Sequence, residues 1–278
     1  WSSDVCSSDL GPMPSGLSNK EKASVREQYA DGKVDRKALL AAESGAYHSP
    51  GTCTFYGTAN SNQMMMEFMG LQLPGSSFVN PDDPMRPKLT AAAVERALDI
   101  CQLTEHYIPL YEVVSEKSVV NAMIGLLTTG GSTNHTIHLV AMAAAAGIQI
   151  NWSDFARLSE VIPLLAQVYP NGQADVNHFH QAGGLGFIIG ELLEAGLLHD
   201  DVVTILGRGM ENFASEPHAA DDQLKWRPSP KTPGDYTVVR KVSDPFQSEG
   251  GLKLVAGDIG RAIVKVSAVD ESQRKVQA

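Results

Sequence analysis

Cysteine is scarce in this sequence: Cys6, Cys53 and Cys101 are the three in 278 residues. Three thiols cannot build the disulfide framework of a secreted scaffold this long, so a reducing, cytoplasmic setting is expected. Positive charge is also in short supply. Lys and Arg number 22 against 32 Asp and Glu, a formal net charge of −10. Wrapping nucleic acid needs clustered cations to displace counterions, so a nucleic-acid partner is not expected. Long apolar runs are missing: no stretch reaches the roughly 18 residues of a membrane-spanning helix. The longest candidate, around 137–150, is broken by His138, Gly147 and Gln149. No histidine pair has partner cysteines at zinc-finger spacing. What remains is 43% hydrophobic and 19% charged, a globular mixture that excludes disorder throughout. The length suits one large domain or two smaller ones.

Residues 1–10 have no initiating Met, charged leader or apolar core, so they are not a signal peptide. They read as an adapter-like, non-native segment, and Cys6 is set aside with them. Ser18 and Glu21 have capping-box spacing and open a helix to about Ala30. A second helix follows Asp35. A third begins near Gly57 and carries Met64, Met65, Met66, Phe68 and Met69, apolar over enough of its circumference to predict burial on several sides. Residues 74–87, rich in Pro, Gly, Ser and Asp, read as a loop. Helices are predicted over 90–103, 117–127 and from the 130–134 turn to Ala146. A short strand is predicted over 148–150, and Ser153 is expected to cap the next helix. Residues 175–181 and 187–195 are predicted helices separated by Gly183, Gly184 and Gly186. Residues 202–206 are a strand candidate. The prolines of 216–235 predict a surface connection, and 236–269 read as strand-like.

Two stretches carry possible chemistry. In Gly51-Thr52-Cys53-Thr54-Phe55-Tyr56-Gly57-Thr58-Ala59-Asn60, a cysteine precedes a predicted helix. The positive end of a helix favours thiolate, the form that ligates metals or attacks electrophiles. A buried, inert cysteine is the other reading, and the residues alone leave both open. Cys101 shares a predicted helix face with Val94 and Leu98 and reads as structural. In Gly130-Gly131-Ser132-Thr133-Asn134, two glycines and three neutral polar residues open a helix, an arrangement that can hold an anion on backbone N–H groups. A plain N-cap by Ser132 or Thr133 is equally compatible. His135 and His138 lie on one helical face without an acidic or Cys companion, which favours packing over metal binding.

Taken together, several segments resemble the dihydroxy-acid/6-phosphogluconate dehydratase family. They are Gly-Pro-Met-Pro-Ser-Gly at 11–16, the Cys53 segment, Leu-Pro-Gly-Ser-Ser-Phe-Val at 73–79, and residues 130–139. Ala182-Gly183-Gly184 with 191–199, and residues 250–269, complete the set. The resemblance spans essentially 11–269. Thr54-Phe55-Tyr56-Gly57 sets the chain apart from the dihydroxy-acid branch, which usually has small residues and Met directly after that cysteine.

The resemblance implies a cytoplasmic hydro-lyase of gluconate metabolism. It would convert 6-phospho-D-gluconate to 2-dehydro-3-deoxy-6-phosphogluconate in the Entner–Doudoroff pathway. It implies an iron–sulfur cluster, 4Fe–4S favoured over 2Fe–2S, with Cys53 matching the last of the ligand cysteines. Iron with an open position would polarise the leaving hydroxyl while a base takes the neighbouring proton. Mg2+ and a homodimer are implied for the full-length enzyme. Thr58, Asn60, Ser132, Thr133 and Asn134 are the expected substrate-binding residues, converging near Cys53. The expected fold is a helix-rich α/β domain of the N-terminal dehydratase type over 11–239, followed over 240–278 by the first strands of a truncated C-terminal β domain.

The family's other cluster cysteines lie upstream, one in a Cys-Asp-Lys segment, and its general base lies downstream. Neither has a counterpart here, so the sequence is expected to be an internal fragment that is inactive alone. A sibling dehydratase of a non-phosphorylated aldonate or dihydroxy acid is the alternative enzyme. A catalytically silent scaffold with a structural Cys53 is the alternative of another class.

Overall fold

The computed structural model describes residues 10–11, 19–45, 49–50, 55–220 and 223–269. In chain order, a short strand β1 (Leu10–Gly11) precedes helices α1 (Asn19–Ala30) and α2 (Arg36–Gly45), then strand β2 (Ser49–Pro50). Helices α3 (Thr58–Phe68), α4 (Met85–Asp99), α5 (Leu110–Val113), α6 (Glu116–Thr129) and α7 (His135–Ala145) follow. After α8 (Trp152–Ser159), α9 (Val176–Gln181) and α10 (Gly184–Glu194) come the strands β3 (Val203–Thr204) and β4 (Gly207–Arg208). Two longer hairpins close the described chain: β5 (Ser215–Ala220) with β6 (Gln223–Pro228), and β7 (Lys253–Gly257) with β8 (Gly260–Val264). The fold is thus helix-rich with small antiparallel strand pairs, in keeping with the α/β expectation. No helix is long and apolar enough to cross a membrane among the described residues.

Helix α6 is the axis of the core. Ser115 caps it reciprocally: its Oγ accepts from the Ser118 amide at 3.3 Å, and its own amide donates to Ser118 Oγ at 2.8 Å. From Val119 to Thr129 the helix is buried nearly all round, as only a central helix can be. Helix α3 crosses it with Met64 and Phe68. A Cβ on Gly125 would lie 2.6 Å from Met64 Sδ and 2.7 Å from the Phe68 ring, so the missing side chain lets the two helices meet. The predicted many-sided burial of α3 is therefore correct: Met64, Met65 and Phe68 are all sealed in the core. Leu139 of α7, Phe155 of α8, Phe179 of α9 and Ile188 of α10 complete the layer.

Several local expectations are corrected. Helix α4 runs from Met85 to Asp99, earlier than expected, because Pro87 falls in the first turn, where its missing N–H costs nothing. Cys101 consequently lies past the helix end, half-buried, and Val94 and Leu98 point to solvent. Residues 148–150 form no strand; the Ile148 amide instead closes α7 on the Ala143 carbonyl at 2.8 Å. Asn151, not Ser153, caps α8: its side chain accepts from the Ser153 amide, while Asp154 accepts from the Asn151 amide, both at 2.8 Å. Gly184 and Gly186 lie inside α10 rather than ahead of it. Much of the expected surface connection is the β5–β6 hairpin. Its prolines fit because each strand of a two-stranded sheet has one edge that needs no donor. Within 236–269 only β7 and β8 are strands. Val238, Val239 and Leu252 are core residues of an irregular segment, and Val239 bridges to Ala166. Ser18, the expected cap of α1, lies outside the described residues.

Candidate functional site

The site is built where α3 begins and α6 ends. Tyr56, fully buried, anchors the chain entering α3. Its amide donates to the Tyr169 carbonyl at 2.9 Å, and its hydroxyl donates to Thr129 Oγ1 at 2.9 Å. Its ring meets Phe78 and Phe179 at centroid distances of 6.1 and 6.3 Å. Burial pushes the Tyr56 phenol well above its ordinary pKa, so it stays a neutral donor. Two residues on, Thr58 starts the helix behind Gly57, which offers no capping side chain.

Helix α6 ends on Gly130 in the left-handed conformation, φ +59°. A Cβ there would lie 2.1 Å from Asn171 Nδ2, whose amide donates to the Gly130 carbonyl at 2.8 Å. Ser267 Oγ in turn donates to Asn171 Oδ1 at 3.1 Å, fastening the turn to the segment after β8. The turn then reaches α3. The Ser132 amide donates to Ser61 Oγ at 3.0 Å. Ser132 Oγ lies 3.1 Å from Thr58 Oγ1, which accepts from Asn134 Nδ2 at 2.7 Å.

Three of the sequence-predicted residues, Thr58, Ser132 and Asn134, therefore share one hydrogen-bonded cluster. Asn60 is on the same helical turn, but its Nδ2 donates to the Phe55 carbonyl at 2.8 Å and closes the entry loop. Thr133 contributes its carbonyl, which accepts from Thr136 Oγ1 at 2.8 Å. Cys53 and its neighbours at 51, 52 and 54 lie outside the described residues. The cluster offers neutral hydroxyl and amide groups beside the uncapped start of α3, a setting that suits an anionic, hydroxyl-rich ligand.

Some participants escaped the sequence reading. His135 is buried with Nε2 at 2.9 Å from the Thr58 carbonyl, while its ring meets His138 edge-on at 5.7 Å. Asn171 stands in a Pro-Asn-Gly stretch that reads as a simple turn. Glu67 is the third: fully buried in α3, its carboxylate accepts from the Gly75 and Ser77 amides, each at 2.8 Å. Burial raises its pKa to about 6, against the opposing pull of the Ser77 and Gly75 hydrogen bonds and of Arg86. A lone acid among Met and Phe residues was the available signal. Among the described residues no group of three or more His, Cys, Asp or Glu side chains could hold a metal ion.

With this geometry in hand, comparison with known proteins is decisive for ancestry. Residues 8–213 match the dihydroxy-acid/6-phosphogluconate dehydratase N-terminal family. The chain belongs to that family. A phosphogluconate dehydratase of Pseudomonas aeruginosa is 53% identical over 268 residues, 96% of this chain and 44% of that protein. One from Rhizobium meliloti is 54% identical over 269 residues, with the same two coverages. A dihydroxy-acid dehydratase of Sulfurisphaera tokodaii is 33% identical over 242 residues, 86% of this chain and 41% of that protein. The chain spans less than half the length of these curated relatives. Within the dehydratase family frame, both halves of the hydrogen-bonded cluster, Thr58 with Ser61 and Ser132 with Asn134, fall inside the matched range.

Proposed function

We propose that this chain is part of a hydro-lyase that dehydrates 6-phospho-D-gluconate to 2-dehydro-3-deoxy-6-phosphogluconate. The observation that carries this reading is the contrast in identity: 53% to a phosphogluconate dehydratase across 96% of the chain, against 33% to a dihydroxy-acid dehydratase. In this reading Thr58, Ser132 and Asn134 hydrogen-bond the hydroxyls and carboxylate of the sugar acid. Thr133 of the 130–134 turn and Asn60 of the first turn of α3 flank them. Neutral donors orient such a ligand without placing a fixed cation at the site.

The cofactor in this reading is an iron–sulfur cluster, 4Fe–4S in preference to 2Fe–2S, with Cys53 as one thiolate ligand. When bound, it would supply Lewis acidity toward the leaving hydroxyl. The described side chains do not by themselves make up a ligand set for it. Cys53 lies outside them, and further thiolates would come from elsewhere in the full-length protein, as would Mg2+ ligands and the general base. The low cysteine count supports a cytoplasmic setting, and the reading includes a homodimer of the full-length protein.

The test is turnover by the full-length protein after anaerobic reconstitution with iron and sulfide. 6-Phosphogluconate, gluconate and a branched 2,3-dihydroxy acid are offered in parallel, and 2-keto acid is measured. Keto acid from 6-phosphogluconate alone is expected. Preference for either non-phosphorylated acid would identify a sibling dehydratase, and no keto acid from any of the three would leave a silent scaffold.

A further inference from the structure

His135 is the first residue of α7 and only 2% exposed. A carbonyl oxygen can only accept, so the 2.9 Å contact with Thr58 places the imidazole hydrogen on Nε2. The other ring nitrogen, Nδ1, is buried and has no partner among the described residues. A second proton there would leave a buried charge without an acceptor. Burial pushes the imidazole pKa down, the hydrogen bond to Thr58 opposes it, and neighbouring His138 adds to the fall, which remains downward on balance. His135 is thus a neutral, single-tautomer donor.

Its partner is the residue at the centre of the candidate site. Thr58 is gripped at both ends by consecutive residues: Asn134 Nδ2 donates to its hydroxyl at 2.7 Å, and His135 Nε2 donates to its carbonyl at 2.9 Å. The first grip holds only the threonine side chain, and the Ser132–Ser61 bond at 3.0 Å holds the helix one turn further on. The second fixes the backbone, and with it the direction in which the first N–H groups of α3 point.

We propose that His135 is a positioning residue that acts through Thr58, setting the start of α3 against the Gly130–Asn134 turn so that both meet the same anionic substrate. The proposal rests on the substrate-site reading given above, and nothing in the comparisons assigns a role to this histidine.

The experiment compares His135→Phe and His135→Gln in the full-length protein. Phe fills the space without a donor, whereas the Gln amide can still reach the Thr58 carbonyl. Loss of one buried hydrogen bond predicts about a fivefold to tenfold rise in KM for 6-phosphogluconate in His135→Phe. Its kcat and iron content should change less than twofold, and His135→Gln should stay near wild type. An unchanged KM in His135→Phe, or equal KM rises in both variants, overturns the proposal while leaving the dehydratase reading intact. If wild-type protein makes no keto acid, the dehydratase reading fails instead. Hydrogen exchange at the Ser61 amide, bonded to the Gly57 carbonyl at 3.0 Å, then decides the positioning role: it should accelerate in His135→Phe and not in His135→Gln, and equal rates overturn it. If His135→Phe does not fold, the 15N imidazole signals of the wild type decide, and an Nδ1–H tautomer overturns the proposal.

Discussion

Glu67 gives the sharpest test of how this fold is held. Its carboxylate, buried in α3, pins the loop after that helix through the Gly75 and Ser77 amides, each at 2.8 Å, and through the Ser77 hydroxyl. That loop carries Phe78, whose ring lies 5.8 Å from Phe179 and 6.1 Å from Tyr56. It also accepts the Trp226 indole N–H on the Pro74 carbonyl at 3.0 Å, tying in the β5–β6 hairpin. Glu67→Ala strands two backbone N–H groups. Each unsatisfied donor costs about 1–3 kcal/mol, so the gross loss is about 2–6 kcal/mol. Against this stands relief of the burial penalty that raises the carboxyl pKa from 4.5 to about 6, an offset of about 2 kcal/mol. The net expectation is a loss of about 0–4 kcal/mol, centred near 2. Glu67→Gln keeps one acceptor oxygen but turns an NH2 toward a donor, and should lose about 1–3 kcal/mol.

The assay is equilibrium urea unfolding followed by far-ultraviolet circular dichroism, at several pH values. The folded carboxyl holds its proton up to about pH 6, whereas the unfolded one releases it near 4.5. Between those values the native state binds more protons, so this group's contribution falls as pH rises and is level above about 6. The stability gap between wild type and Glu67→Gln should therefore narrow from pH 4.5 to 6. A Glu67→Ala variant more stable than wild type, or a gap that widens with pH, would refute the reasoning.

Three other outcomes are expected. Asn134→Ala in the full-length protein removes the 2.7 Å bond to Thr58 and should weaken 6-phosphogluconate binding severalfold with iron content unchanged; parallel loss of iron would count against a substrate role. Cys53→Ser should prevent retention of iron and sulfide after reconstitution, and unchanged iron content would remove Cys53 from the ligand set. Lys265 has its amine pKa pushed down to about 8 by burial alone. Between about 8 and the ordinary 10.5 the unfolded chain binds the extra proton, so stability should rise with pH across that window. Lys265→Met should flatten that rise and stabilise the chain at pH 7 by about 1–3 kcal/mol; a lower melting temperature would contradict this.

Much of the helical framework was legible from local signals. The Met-rich face of α3 and the apolar run of α6 declare burial because 3.6-residue periodicity is written along the chain itself. The family was legible too, since its motifs are contiguous. Errors fell where the deciding contact is remote or where neighbours compete locally. Asn151 and Ser153 are both competent caps, and the reciprocal bond with Asp154 chose between them. The prolines at 217 and 228 spoke for a connection, and only the pairing of Ser215–Ala220 with Gln223–Pro228 made them strand residues.

The site divides in the same way. By itself the sequence determined that two glycines and three neutral polar residues precede a helix, because turn and cap chemistry is local. That this turn meets Thr58, 74 residues away from Ser132, is not written in local chemistry and was expected only through the family resemblance. That meeting depends on α3 crossing α6 closely enough for Met64 and Phe68 to occupy the space a side chain on Gly125 would fill. Nor could the sequence assign His135. A histidine donating to a carbonyl and one packed beside a second histidine have the same local pattern, and only the placement of the Thr58 carbonyl at 2.9 Å separates them.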